Sequence, residues 1–65
     1  MLDNIIKRIR NYFSASVYVM NRHEKSADVY IDGISSDIAD AYVGSLFGVK
    51  FHYPSPRGYV HIEVE

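Results

Sequence analysis

Across residues 2–13 the apolar side chains Leu2, Ile5, Ile6, Ile9, Tyr12 and Phe13 recur at spacings of three and four, with Asn4, Lys7, Arg8 and Asn11 between them. Residues so spaced share one face of a 3.6-residue turn, which predicts an amphipathic helix. Asp3 near its start and Lys7, Arg8 and Arg10 further on follow the polarity that a helix dipole favours. The period then changes. Residues 15–21 (ASVYVMN) and 27–32 (ADVYID) are rich in β-branched and aromatic side chains, and the polar stretch RHEKS separates them. This predicts a β-hairpin. With Val19 opposite Val29, Val17 meets Ile31 and Asn21 meets Ala27 on one face, while Ser16, Tyr18, Met20, Asp28, Tyr30 and Asp32 take the other.

Gly33 breaks the second strand, Ser35 or Ser36 offers a helix N-cap, and Asp37 and Asp40 fall in the first turn after it. The second helix is predicted over residues 36–47, with Gly48 beyond its end. Ile38, Ala41, Tyr42, Ser45 and Leu46 make one stripe on it, and Ala39, Val43 and Phe47 a second. A helix apolar on most sides is normally buried on most sides, and a chain this short has no room to surround one. A second copy of the chain is therefore expected against Ala39, Val43, Gly44 and Phe47, with Gly44 permitting close approach.

Residues 49–53 (VKFHY) and 59–65 (YVHIEVE) alternate about the turn PSPRG, which predicts a second hairpin. Setting Tyr53 opposite Val60 places Phe51 against Ile62 and Val49 against Val64 on one face, with Lys50 against Glu63 and His52 against His61 on the other. The order is helix, two strands, helix, two strands. It predicts one small α+β domain over residues 1–65, αββαββ, its helices on one face of an antiparallel sheet or pair of hairpins and a homodimer completing the core. No repeat, linker or low-complexity segment divides the chain.

Length sharpens the dimer expectation. A chain of 65 residues buries only about 60% of its unfolded surface, and small domains usually supplement so small a core. Without cysteine, neither a disulfide nor a cysteine-based zinc site is open to it. A hydrophobic share of 48% with 23% charged residues is that of a folded chain. No stretch approaches the length of a membrane span, and the basic residues come after the first apolar ones instead of preceding a long apolar run, so a cytoplasmic location is expected.

Charge is polarised more than its net of −1 suggests. Lys7, Arg8, Arg10, Arg22 and Lys25 outnumber Asp3 and Glu24 in the first 25 residues, whereas Asp28, Asp32, Asp37 and Asp40 meet no base as far as residue 48. A general nucleic-acid binder would show a domain-wide basic excess, and a pI near 6.3 speaks against one.

Candidate chemistry is sparse. His52 and His61, predicted as cross-strand neighbours, could share a metal only with a further ligand that no spacing supplies. The plain reading is a solvated pair, and no metal or cofactor is expected. The serines stand in no nucleophile-elbow context, and no glycine-rich phosphate loop occurs. The more telling feature is tyrosine, six in the chain. Tyr18 and Tyr30 lie side by side on the predicted non-core face, near Met20, His52 and His61. Such a face suits protein contact, in which aromatic and Met side chains are enriched. A base-stacking sheet would carry more Lys and Arg beside its rings.

The expected function is a small non-catalytic interaction protein, an inhibitor or adaptor docking on a larger protein, of the sort that compact viral or mobile-element genomes encode. The acidic set Asp28, Asp32, Asp37 and Asp40 could imitate a nucleic-acid backbone to such a partner. Two alternatives stay open: a nucleic-acid-binding regulator using Lys7, Arg8, Arg10, Arg22 and Lys25, and a sponge for a small ligand at a dimer interface.

Overall fold

Two helices and four strands occur in the expected order in the computed structural model, which describes residues 1–65. The first helix, α1 (Leu2–Phe13), buries Leu2, Ile5, Ile6 and Ile9, the stripe its period marks out. It stops at Ser14, whose left-handed φ of 50° reverses the chain into β1 (Val17–Met20). Asn21 repeats the device at the far end of β1, with φ 50°, since the short polar side chain of Asn tolerates this conformation. β2 (Ser26–Ile31) then pairs antiparallel with β1, Val17 opposite Ile31 and Val19 opposite Val29, in the register that the polarity contrast requires.

The second helix, α2 (Ser36–Val43), begins where the Ser35 side chain accepts a hydrogen bond from the Ile38 N–H. It ends earlier than the sequence pattern indicates, at Val43 and not Phe47. Two local causes act together. The Ser45 hydroxyl donates to the Tyr42 carbonyl at 2.6 Å, and the Ser45 and Leu46 N–H groups reach back only three residues, to Tyr42 and Val43, which tightens and closes the last turn. Gly48, at φ 97°, then redirects the chain into β3 (Val49–Pro54). β4 (Tyr59–Val64) returns through a turn in which the Ser55 N–H donates to the Tyr59 carbonyl at 2.7 Å.

The four strands form one antiparallel sheet in the order β1-β2-β4-β3. Both helices cover one face. Leu2, Ile5, Ile6 and Ile9 of α1 and Ala39 and Val43 of α2 meet Ala27, Val29 and Ile31 of β2 and Val60, Ile62 and Val64 of β4 in a single core. Alternation sends the intervening residues of β2 and β4 to the opposite face, which no element covers.

β3 departs from the sequence reading. Val49 pairs with Val64 as expected, but a break in register between Val49 and Phe51 moves every later pair by one: Phe51 opposite Glu63, His52 opposite Ile62, Tyr53 opposite His61. An unpaired extra residue in one strand rotates the residues beyond it to the other face. His52 therefore turns towards the helices, and Phe51 and Tyr53 turn out.

The expected dimer surface on α2 changes with it. Ala39 and Val43 lie in the chain's own core. Gly44 faces the chain's own His52, since a Cβ built there would stand 2.9 Å from the imidazole. Of that set Phe47 is free, at 97% exposure, and the Gly44 backbone is exposed on the side away from His52. The stripe left outside is the other one, with Ile38 and Ala41 exposed beside a Tyr12–Tyr42 stack whose ring centroids are 3.9 Å apart.

Candidate functional site on the open sheet face

The uncovered face is organised around a charged cluster on the two central strands. Asp28 of β2 stands opposite His61 of β4. Its carboxylate lies 2.7 Å from His61 Nδ1 and accepts a second hydrogen bond, 2.8 Å, from the Asn21 amide. His61 Nε2 lies 2.9 Å from Glu63, two residues along the same face. Asn21 reaches Asp28 because its left-handed backbone ends β1 next to the Met20–Asp28 pair.

Burial of His61 disfavours its charged form, but hydrogen bonds to Glu63 and Asp28 and the charges of both outweigh this and raise its pKa above 6.5. Burial likewise works against the Asp28 carboxylate. The hydrogen bonds from Asn21 and His61, with the imidazolium charge beside it, prevail and hold it below its ordinary 3.8. In its charged form the imidazole donates from both ring nitrogens to carboxylates, and its bond to Asp28 clamps β4 to β2.

Aromatic rings surround the clamp. Tyr53 stacks on His61 with centroids 5.0 Å apart and planes at 25°, and Phe51 meets both. On the other side Tyr18 and Tyr30 pair across β1 and β2, centroids 6.2 Å apart. With Tyr59, Met20, Asn21 and Arg57 they line a shallow hollow of about 380 Å³. The face thus carries two aromatic groups flanking one ionic centre.

Of the residues singled out in the sequence, Tyr18, Met20, Tyr30 and His61 meet on this face. His52 does not. It projects to the helix side, where Nδ1 lies 2.6 Å from Asp40 of α2, so the cross-strand histidine pair does not form. No group of three or more His, Cys, Asp or Glu side chains is placed to hold a metal ion. The acidic set is dispersed as well: Asp28 is 9% exposed and bound on the open face, Asp40 is held by His52 on the opposite side, and only Asp32 and Asp37 are exposed.

Lys7, Arg8 and Arg10 are exposed on α1, in the layer away from the open face, and Lys25 is exposed before β2. Arg22 is engaged with Asp3 at 2.7 Å. Sequence reasoning missed Phe51, Tyr53, Tyr59, Asn21, Glu63 and Arg57. The alternation of β4 could have flagged Tyr59 and Glu63 beside His61, whereas Asn21 and the aromatic pair of β3 depend on a backbone reversal and a bulge. No helix is long and apolar enough to cross a membrane. No protein-family model, curated protein or solved structure matches the chain.

Proposed function

We propose that this chain is a non-catalytic docking module, an inhibitor or adaptor that lays the open face of its sheet on a larger protein. The observation that supports this is the uncovered tyrosine-rich face itself. A two-layer domain leaves one sheet face in water, and such faces are ordinarily polar. Here Tyr18, Tyr30, Phe51 and Tyr53 stand exposed on it, and exposed apolar patches of this kind mark interaction sites.

The face is also ordered in advance. The clamp of Asp28, His61 and Glu63 ties the central strands, and the rings rest on it and on one another, so little side-chain freedom is left to lose on docking. One imidazolium stands between two carboxylates, so the clamp keeps a net charge of −1, with Glu63 its more exposed member. The partner surface this suits is apolar opposite the rings, with hydrogen-bonding groups for the tyrosine hydroxyls, a donor for Glu63 and an acidic group for Arg57 at the rim.

A nucleic-acid strand would need cations beside the stacking rings, and Lys7, Arg8 and Arg10 lie in the other layer. The test compares the tagged wild type with Tyr30→Ala/Tyr53→Ala and with Lys7→Glu/Arg8→Glu, each checked for folding, in capture from lysate at low and high salt with and without nuclease. A protein held by the wild type and the charge-reversed variant through high salt and nuclease, and lost by the tyrosine variant, is the expected result. Binding lost only on charge reversal, or only with salt and nuclease, overturns it in favour of nucleic-acid contact.

A further inference from the structure

The two edges of the sheet, β1 and β3, are built differently. β3 carries Lys50, a register break and Pro54, each of which spoils an edge as a template for another strand. β1 has none of these. Its residues VYVM are uncharged and pair with β2 in unbroken register from Val17–Ile31 to Met20–Asp28.

The ladder fixes which backbone groups of β1 are free. In an antiparallel pair, hydrogen-bonded and non-hydrogen-bonded positions alternate. The Asp32 N–H donates to the Ser16 carbonyl at 3.0 Å, so Ser16, Tyr18 and Met20 turn their backbone groups towards β2. The N–H and C=O of Val17 and Val19 point the other way, off the sheet. Val19, although on the apolar face, is 38% exposed.

We propose that β1 pairs antiparallel with β1 of a second copy about a two-fold axis at Tyr18, joining the two sheets into one. In that register Val17 of each copy stands opposite Val19 of the other, and every outward N–H and C=O of both residues is used. A shift of two residues would pair one valine with its own copy and leave the other opposite Ala15 or Asn21, outside the strand. The occupant is a second copy because the strand is self-complementary. It brings no charge to face its own image, it covers half-exposed Val19 with Val17 of the other copy, and it sets Tyr18 against Tyr18 at a non-hydrogen-bonded position, where side chains approach most closely. This inference concerns the sheet edge and stands apart from the docking reading of the face.

The test uses the purified chain alone, with sedimentation velocity from about micromolar to about millimolar concentration, the range in which short edge contacts act. Tyr18 is exposed on the uncovered face, so Tyr18→Lys and Tyr18→Glu leave the core intact. The wild type is expected to pass from monomer to dimer as concentration rises, each variant alone to stay monomeric where the wild type dimerises, and their equimolar mixture to dimerise. A wild type that is monomeric throughout, variants that dimerise as well as it does, or a mixture that stays monomeric overturns the proposal. N-methylation of Val19 in a synthetic chain removes an outward N–H without touching the β1–β2 ladder. An unchanged circular dichroism spectrum with the dimer lost is expected, and a dimer retained overturns the edge assignment.

Discussion

Removing both members of the Asp28–His61 pair should cost much less than the sum of removing each alone. The two side chains retain 12% and 20% of their exposure and are joined at 2.7 Å. Breaking a fully buried ion pair from one side costs about 3–5 kcal/mol, and a hydrogen bond to a charged group contributes about 1.5–3 kcal/mol. Solvent lies over the open face and weakens both, so His61→Gln is expected to lose about 2 kcal/mol and Asp28→Asn a similar amount. The double variant should be less destabilised than the sum by about 1–2 kcal/mol. Total stability for a domain of this length is on the order of 3–10 kcal/mol, so urea unfolding followed by circular dichroism reads these differences directly. A coupling below about 0.5 kcal/mol, the scatter of independent sites, refutes the clamp. The pair also has a pH signature. The raised pKa of His61 makes its contribution complete below 6.5 and lost as pH rises through the raised value. The lowered pKa of Asp28 makes its contribution present above 3.8 and lost as pH falls through the lowered value. Wild-type stability should therefore exceed that of the double variant most between 3.8 and 6.5.

Three further outcomes are expected. Gly44 has φ −63°, a conformation open to Ala, yet a Cβ there meets His52 at 2.9 Å. Gly44→Ala should therefore destabilise the wild type but stabilise the His52→Ala background by about 0.4–1 kcal/mol, and the same sign in both backgrounds would refute the contact. Ile9→Ala and Ile62→Ala, at fully buried positions, should each cost about 2–5 kcal/mol, seen as loss of cooperative thermal unfolding at physiological temperature. Arg22→Ala breaks the exposed pair with Asp3 and should shift the urea midpoint by no more than corresponds to about 0.5 kcal/mol.

The sequence carried the element order, the limits of α1 and the register of the first hairpin, because each rests on a local contrast between apolar and polar positions. The αββαββ order in an α+β domain is the order observed. Local contrast fails at particular residues. Unbroken alternation through VKFHY favours Phe51 and Tyr53 inside, and only the bulge near Lys50 reverses this. The reversal is supported by partners distant in sequence: Asp40 receives His52, and His61 receives Tyr53. Either stripe of α2 could have faced the sheet, and it is Ala39 and Val43 that do so. Of the site, Tyr18, Tyr30, Met20 and His61 were legible from alternation. The clamp was not, because Asp28 and His61 meet only when β2 and β4 become neighbours, a choice of strand order that no local pattern encodes.

The bulge near Lys50, which turns His52 inwards, also bears on how far the molecule can grow. A sheet with two clean edges can add copies without end, which is the route to fibres. Here the displaced ladder, Lys50 and Pro54 close one edge, so any pairing of copies through β1 places a blunt edge at each outer end and terminates there. The same irregularity that defeats a reading by alternation would thus limit the proposed assembly to a closed pair.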